Sequence, residues 1–345
     1  MKIAQLSPLV ESVPPKYYGG TERVISYLTE ALVEMGHDVT LFASADSKTS
    51  AQLKPQCPCS FRLDKNKEDH MPYYILMHEN IYQHAADFDI LHSHMDYALF
   101  SMLRNLKKPF VTTLHGRLNI SSLRPIYDEF DDTPLISISN DQRKPFPSIN
   151  WQSTVYNGLP KNLYKCYEKS GKYLAFIGRI SPEKGPDLAV EIAKKLDMPL
   201  KIAAKIDKVD EAYYESKIKP LFKHSLVEYI GEISDQEKNE FLGNAYALIF
   251  PIDWPEPFGL AMIEAMACGT PVVARRCGAV PEVIEEGVSG FIFKTVDEAI
   301  KQVNDVTSLN RQRVRNAFEK KFTATHMANN YIKTYEKIIA HFNHQ

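Results

Sequence analysis

Short apolar strand candidates alternate with helical segments along this chain, and after about residue 172 the alternation starts again. Near the amino terminus, the candidate strand 2–6 is followed by a loop with proline and glycine, an amphipathic helical pattern over 24–35 and a second strand at 39–43. A strand, a helix and a strand in that order form a parallel sheet with right-handed crossovers. Two such series predict two Rossmann-like, doubly wound α/β domains.

The other strand candidates fall into two groups, separated by a polar stretch without periodicity. They lie at 90–92, 110–114, 135–137 and 154–156, and then at 173–177, 200–204, 227–230, 247–251 and 271–274. Residues 161–172 (KNLYKCYEKSGK) predict a linker between a first domain at 1–160 and a second at 173–327. The final helix, within 328–345, could cross back onto the first domain. Residues 48–71 are predicted to form an irregular loop.

Local signals mark where several helices begin. Pro186 suits the first turn of a helix, and Ser234 with Glu237 three residues later forms a capping-box pattern. We predict helices that start near both positions.

The composition excludes several classes of protein. Forty-one Lys and Arg stand against 43 Asp and Glu, a net charge of −2, so no strong field attracts nucleic acid. No apolar run approaches the roughly 18 residues of a membrane span, and Pro8 interrupts the amino terminus before an export segment can form. Five scattered cysteines suit a reducing compartment. We therefore expect a cytoplasmic protein with no nucleic-acid partner.

One basic segment keeps membrane association open. Arg311, Arg313 and Arg315 begin a run that could lie on a lipid surface or face solvent. These residues do not fall on one helical stripe, so we favour the solvated interpretation.

The most specific motif is the stretch from Glu256 to Pro271, EPFGLAMIEAMACGTP, which follows an apolar strand. Gly259 lets the backbone approach a ligand, and the helix that begins there offers free N–H groups and the positive end of its dipole. This arrangement favours a diphosphate site. Glu256 and Glu264 can accept hydrogen bonds from sugar or ribose hydroxyls, although each carboxylate alone could also be an ordinary solvated acid.

A pair of cations forms the second motif, in FIGRISPEKG. Arg179 leaves the first strand of the second domain, and Lys184 follows in a turn constrained by proline and glycine. A guanidinium fork and an ammonium group together neutralise a diphosphate. If that diphosphate is a leaving group, both cations stabilise charge that grows as the bond breaks. The alternative is a surface ion pair between Lys184 and Glu183.

These motifs resemble those of the family 4 retaining glycosyltransferases, which have the GT-B fold of two Rossmann-like domains facing a cleft. The second domain carries the resemblance in Arg179…Lys184, in Glu256-x7-Glu264 and in 278–284 (GAVPEVI). The resemblance extends over essentially the whole chain through Gly19-Gly20, 89–94 (DILHSH), His115-Gly116, 137–139 (SIS) and Asn157-Gly158.

The resemblance implies how the donor would be held. Arg179 and Lys184 would bind the diphosphate of a UDP-, GDP- or ADP-linked sugar. Phe258 and the backbone N–H groups of Gly259 and Leu260 would also contribute to donor binding.

Further roles follow for the sugar, the ribose and the acceptor. Glu256 would accept hydrogen bonds from the transferred sugar, and Glu264 from the ribose. His115 would meet the donor sugar near its 6-hydroxyl and reacting carbon. Gly19 and Gly20 would let the backbone approach the phosphate and the acceptor.

Three other polar residues are weaker candidates. His92 and His94 could bind a metal ion, but no third ligand lies nearby in the sequence, so we favour a place on the acceptor side of the cleft. Asn157 is either a turn residue or a ligand contact.

The resemblance implies an enzyme that moves a sugar, a hexose above all, from a nucleotide diphosphate-sugar to an acceptor hydroxyl with retention. Two cations and a helix terminus already neutralise the diphosphate, so no obligatory metal ion or other cofactor is expected. The alternatives are an epimerase or phosphorylase on the same scaffold and a non-catalytic sugar-nucleotide-binding module. One departure from the family, Ala279 in place of a second glycine, is tolerated if Ala279 does not need a positive φ.

Overall fold

The computed structural model describes residues 1–17, 19–64 and 69–344. The chain forms two compact units: Met1–Pro160 with Ala324–Gln345, and Lys161–Thr323. Residues 161–172, predicted as a linker, lie in the second unit, where the Tyr164 ring is buried.

Each unit is built on one parallel sheet, which confirms the predicted Rossmann-like fold class. Within the described residues, the first sheet has the order β3-β2-β1-β4-β5-β6-β7 and the second the order β10-β9-β8-β11-β12-β13. All neighbouring strands in both sheets are parallel. The strands are β1 (Lys2–Leu6), β2 (Asp38–Ser44), β3 (Gln52–Cys57), β4 (Ile90–Ser93), β5 (Phe110–Leu114), β6 (Leu135–Ser137), β7 (Trp151–Thr154), β8 (Leu174–Arg179), β9 (Leu200–Lys205), β10 (Val227–Gly231), β11 (Ala247–Phe250), β12 (Val272–Arg275) and β13 (Gly290–Phe293).

The helices connect these strands, and the last one returns to the first unit. They are α1 (Gly20–Glu34), α2 (Met71–His84), α3 (Phe100–Asn105), α4 (Arg124–Glu129), α5 (Pro186–Leu196), α6 (Glu211–Tyr213), α7 (Asp235–Gly243), α8 (Leu260–Ala267), α9 (Val280–Val283), α10 (Val296–Asp305), α11 (Arg311–Lys321) and α12 (Ala324–Asn343). Among the described residues, none of the helices has both the length and the apolar character needed to cross a bilayer.

Strand order fixes where a ligand site can lie in each sheet. β1 lies between β2 and β4, and β8 lies between β9 and β11, so strand order reverses at β1 and at β8. In open parallel sheets, ligands bind outside the carboxyl ends of the strands at such a reversal. The loops after β8 and β11 carry the two motifs of the second unit, and the loop after β1 carries the glycine pair of the first.

The prediction of an irregular loop over 48–71 is wrong for β3 and for the short 3₁₀ helix Phe61–Leu63, while residues 65–68 lie outside the described part of the chain. β3 (QLKPQC) is an edge strand that pairs with β2 alone. Polar residues and proline are typical of edge strands, so this one has no apolar run that would reveal it. The sequence analysis also did not predict β13, which is one of the two edge strands of the second sheet.

Helix α12 forms part of the core of the first unit. The backbone N–H of Ala324 donates to the Leu159 carbonyl at 2.7 Å, which ties the start of the helix to the end of that unit's main segment. Tyr331 and Tyr335 are fully buried. This helix therefore brings two phenol groups into the interior of the first unit.

The solvated interpretation of the basic segment is wrong for two of its arginines. Arg311 and Arg315 are buried in the second unit, whereas Arg313 is exposed. The Arg311 guanidinium donates to the carbonyls of Tyr167, Ala245 and Gly243 at 2.7, 2.9 and 2.8 Å, and also to the Thr270 hydroxyl. Since buried carbonyls need partners, this arginine replaces water as their donor.

Replacing Arg311 with alanine is expected to destabilise the second unit by at least about 3 kcal/mol, because several buried acceptors lose their donor together. Urea denaturation followed by circular dichroism measures the change. Arg313→Ala on the same helix is the matched control and should cost less than about 0.5 kcal/mol. Equal losses in the two variants would contradict this role for Arg311.

Candidate active site

A tight turn fixes Lys184 at the carboxyl edge of the second sheet. The turn is the 3₁₀ helix Pro182–Lys184, which follows β8, and Gly185 ends it with φ 65°. A Cβ at Gly185 would lie 2.5 Å from the Pro251 carbonyl oxygen, so only glycine fits there. The N–H of Asp253 donates to the Glu183 carbonyl at 2.8 Å. The loops after β8 and β11 are thus held together.

Lys184 and Glu256 meet in this edge although they are 72 positions apart in the sequence. Lys184 Nζ lies 2.5 Å from Glu256 Oε2, and the indole N–H of Trp254 donates to the same oxygen at 3.1 Å. The ammonium group also lies 5.1 Å from the centre of the Trp254 ring. Both charged side chains are largely buried, so their charges act with little solvent screening. The alternative pair of Lys184 with Glu183 is not formed, because Glu183 binds Arg179.

Arg179 is surrounded by carboxylates. It forms an ion pair with Glu183, and its guanidinium lies 3.1 Å from Asp210 and 3.9 Å from Asp207. Burial raises the pKa of Asp210, and Arg179 opposes that shift. Burial also acts to raise the pKa of Glu183, but hydrogen bonds from its own backbone and from Arg179 outweigh it and lower that pKa. The predicted phosphate cation therefore holds three acids at the end of β8.

The amino end of α8 has the predicted glycine in a left-handed conformation. Gly259 has φ 87°, and a Cβ there would lie 2.7 Å from Met262 and 3.1 Å from the Phe250 ring. Leu260 is the first helical residue. The prediction that Phe258 binds the donor does not hold for its side chain, because the ring is buried with its centre 6.0 Å from that of the Phe322 ring. Packing in the core requires this aromatic ring, and only the Phe258 backbone remains as a donor-binding candidate.

A second loop holds the backbone of Glu256. Gly278 has φ 53°, and a Cβ there would lie 2.3 Å from the Glu256 nitrogen. The N–H of Ala279 donates to the Glu256 carbonyl at 2.9 Å. Ala279 itself has φ −75°, so alanine meets the condition set for it.

Glu264 is bound to a lysine that the sequence did not single out. Lys238 Nζ lies 2.8 Å from Glu264 Oε1 and 3.3 Å from an oxygen of Asp235. Lys238 and Glu264 are both buried. In sequence Lys238 is one of several charged residues on the polar helix α7, so nothing there distinguishes it from a solvated lysine.

In the first unit, the structure brings three histidines together beneath the carboxyl edge of the sheet. His115 follows β5, and its Nε2 lies 2.8 Å from His94 Nδ1. Burial lowers the pKa of His115 to about 4 and holds the pKa values of His92 and His94 well below their usual range. All three rings are therefore neutral near pH 7.

The prediction that His92 and His94 line the acceptor side is wrong. Their exposed fractions are 0% and 1%, because β4 runs through the centre of the sheet. All four of their ring nitrogens form hydrogen bonds within the unit. Within the described segments, no group of three or more His, Cys, Asp or Glu side chains is arranged to hold a metal ion.

The remaining predicted residues lie at the same edge with different roles. Gly19 has φ 169°, which any residue adopts, but a Cβ there would lie 2.8 Å from Pro15. Packing against Pro15 thus favours glycine at position 19, while Gly20 begins α1 and is exposed. Asn157 is buried, and its Oδ1 has no hydrogen-bond partner among the described residues.

Four residues of the first unit that lie in or near the candidate site were not among the residues predicted from the sequence. Asp96 follows β4 with φ 45°, and one of its carboxylate oxygens is buried without a hydrogen-bond partner in the described structure. Gln5 is a polar residue inside the apolar strand β1, a signal that could have been used. Tyr331 and Tyr335 reach the histidines from α12, and no local pattern reports that contact.

Comparison with known proteins places these features in a family. Sequence models of the families described as glycosyl transferases group 1 and Glycosyltransferase Family 4 match residues 167–322 and 18–142. An uncharacterized glycosyltransferase of Methanocaldococcus jannaschii is 25% identical over 277 residues, which cover 74% of this chain and 77% of that protein.

Solved structures share the fold. Sucrose-phosphate synthase from Thermosynechococcus elongatus superimposes with a TM-score of 0.80 at 16% identity, covering 99% of both chains. The Anabaena protein HepE, in complex with UDP and glucose, gives a TM-score of 0.75 at 18% identity and covers 98% of this chain and 100% of its own. These likenesses confirm the predicted GT-B fold.

Proposed function

Because the chain belongs to the family 4, group 1 glycosyltransferases, we propose that it transfers a sugar from a nucleotide diphosphate-sugar to an acceptor hydroxyl with retention of configuration. In this proposal the bond between the anomeric carbon and the diphosphate oxygen breaks. A bond from that carbon to the acceptor oxygen forms on the same face, and the acceptor proton passes to the leaving diphosphate.

The observation that carries the proposal is the Lys184–Glu256 pair beside the amino end of α8. Lys184 supplies a largely desolvated positive charge in a rigid turn. The N–H groups that begin α8 supply further positive potential. A leaving diphosphate gains negative charge as its bond breaks, so donors fixed in advance stabilise the transition state more than the ground state.

The carboxylates are proposed to bind hydroxyls of the donor. Glu256 lies next to the proposed phosphate cation and so suits the transferred sugar, whereas Glu264 lies within α8 and suits the ribose. Each would exchange a hydrogen bond from a lysine for one from a hydroxyl. His115 is proposed to bind a hydroxyl of the sugar, a role carried over from the family resemblance.

The nucleotide donor is supported by the solved complexes of a protein with the same fold. HepE has been crystallised with UDP, with UDP and glucose and with UDP-glucose. We extend a nucleotide-sugar donor to this chain and leave the base open among uridine, guanosine and adenosine.

Metal independence is the second part of the proposal. Lys184, Arg179 and the start of α8 supply the positive charge that a divalent ion supplies in other transferases. Turnover in the presence of EDTA should therefore equal turnover with added magnesium, whereas loss of activity in EDTA would overturn this part.

The experiment begins with a thermal-shift screen against uridine, guanosine and adenosine diphosphates and their sugars. The donor that stabilises the protein is then incubated with a panel of hydroxyl acceptors, and proton NMR follows the products. The proposal predicts release of nucleoside diphosphate and a glycoside with the anomeric configuration of the donor. An inverted product, an epimerised sugar nucleotide, release of sugar 1-phosphate or binding without turnover would each overturn it.

A further inference from the structure

A continuous network of hydrogen bonds connects His115, through buried side chains of the first unit, to helix α12. Its branch point is Gln5, which lies in β1 and is fully buried. The Gln5 amide contacts a histidine through its oxygen and a tyrosine through its nitrogen. Because an amide oxygen only accepts and an amide nitrogen only donates, the orientation of this one group sets the direction of both branches.

The first branch leads to His115. Gln5 Oε1 lies 2.7 Å from His94 Nε2, so that nitrogen carries a proton and donates it. A neutral imidazole has one N–H, so His94 Nδ1 is an acceptor. His94 Nδ1 lies 2.8 Å from His115 Nε2, which must then be the protonated nitrogen of His115.

The second branch leads away from His115. Gln5 Nε2 donates to the Tyr335 hydroxyl at 3.3 Å, and that hydroxyl donates to His92 Nδ1 at 2.6 Å. His92 Nε2 in turn donates to the Thr113 hydroxyl at 2.7 Å, and Thr113 donates to Tyr331 at 3.1 Å. With this orientation of Gln5, each donor on this branch faces an acceptor.

Reversing every bond would also give a consistent set, so the distances must decide. With Gln5 turned over, two nitrogens would share a hydrogen bond at 2.7 Å, the short end of the N–H···O range of about 2.7–3.2 Å. The Tyr335 hydroxyl would then donate to an oxygen at 3.3 Å, which is about 0.3 Å beyond the O–H···O range of about 2.5–3.0 Å, whereas an N–H···O bond of this length is only about 0.1 Å beyond its range. Both distances favour the orientation with Oε1 toward His94.

We propose that Gln5 and His94 are positioning residues that hold His115 as the tautomer protonated at Nε2. The Nδ1 atom is then an acceptor that binds the hydrogen of a substrate hydroxyl, and this second part rests on the proposed function. Within the described segments, the hydrogen bonds of the His115 ring go through Nε2 alone, and the residue is partly exposed. Burial, which lowers the pKa of His115 to about 4, keeps this nitrogen unprotonated near pH 7.

Helix α12 contacts this hydrogen-bond network through Tyr335 in addition to packing in the first unit. Tyr335 is the only partner in the second branch that contacts Gln5 directly among the described residues. Without the Tyr335 hydroxyl, the Gln5 amide loses the hydrogen bond of its nitrogen. That bond is one of the two contacts that favour the orientation with Oε1 toward His94. Tyr335 therefore acts on His115 through Gln5 and His94, without contact to the substrate.

Nitrogen-15 NMR of the histidine rings tests the first part without any donor. The His115 signals are assigned from their loss in His115→Gln. We expect the wild-type protein at pH 7 to show a protonated Nε2 and an unprotonated Nδ1 in His115. The opposite tautomer, or an even mixture, would overturn the proposal whether or not the protein is a transferase.

Tyr335→Phe and Tyr331→Phe form a matched pair, since each removes one buried hydroxyl from α12. Tyr335→Phe is expected to shift the His115 nitrogens toward a mixture of tautomers. Because the tautomer protonated at Nε2 is then less populated, kcat should fall by about two- to fivefold, as expected for the loss of one hydrogen bond. Tyr331→Phe lies at the far end of the branch and should leave the tautomer unchanged. Equal shifts in both variants would contradict the role of Tyr335. If Tyr335→Phe does not fold, the wild-type tautomer still decides.

Discussion

Alanine in place of Lys184 is expected to lower the turnover of the nucleotide-sugar by about 10²- to 10³-fold, the usual cost of removing one preorganised group that stabilises a developing anion. The side chain is largely buried, but it contacts Glu256 and Trp254 of the loop after β11 and not the hydrophobic core of the second unit. The melting temperature should therefore change far less than the rate. Release of nucleoside diphosphate measures turnover, and thermal unfolding measures stability.

Lys201 offers a closely matched control for this variant. Like Lys184, it forms an ion pair with a glutamate, Glu228, at 3.0 Å, and it lies 5.0 Å from the centre of an aromatic ring, that of Tyr173. It differs in position, since it is near the amino end of β9. Lys201→Ala should retain full turnover. Full turnover in Lys184→Ala, or an equal loss in both variants, would remove Lys184 from the mechanism.

Alanine in place of Arg179 is expected to lower kcat/KM for the donor by about 10²-fold, through two additive causes. The variant loses a guanidinium that can bind phosphate. It also leaves the carboxylates of Glu183 and Asp210 without their cation, while Asp207 keeps its ion pair with Lys205, so that an anionic donor meets a more acidic surface. Steady-state kinetics with the donor varied measures the change.

Two further variants separate these causes. Arg179→Lys keeps the charge and loses the planar fork, so it should recover part of the activity. Adding Asp210→Asn to Arg179→Ala removes one of the unpaired acids and should lower KM relative to the single variant. If Arg179→Ala retains the wild-type kcat/KM, Arg179 serves only to neutralise its three acidic neighbours.

Local signals were enough to predict most of the fold. The strands 110–114 and 135–137 were predicted to the residue, and Ser234 caps α7 in the predicted capping box with Glu237. Buried central strands are mostly apolar and capping uses neighbours in sequence, so both leave a local trace. The polar edge strand β3 leaves none, because its pairing with β2 is decided by the sheet.

The candidate site shows the same division between local and distant causes. The glycine at position 259 was identified from its place between a strand and a helix, and the structure places it directly before α8 with φ 87°. The pairing of Glu264 with Lys238 and the contact of Gln5 with Tyr335 join residues 26 and 330 positions apart. Only the fold brings such residues together. His92 and His94 were assigned to the acceptor side for the same reason, since their sequence motif does not reveal their burial.

The central claim is that the second unit holds the diphosphate of the donor between its cations and the start of α8. A crystal structure with the nucleoside diphosphate chosen by the thermal-shift screen tests it most directly. The account predicts phosphate oxygens within hydrogen-bonding distance of Lys184 Nζ and of the backbone N–H groups of Gly259 and Leu260, with the Arg179 guanidinium directed at the same phosphates. A nucleotide bound elsewhere would contradict the claim. So would a complex in which Lys184 and Arg179 keep their present ion pairs with carboxylates and do not contact the phosphates.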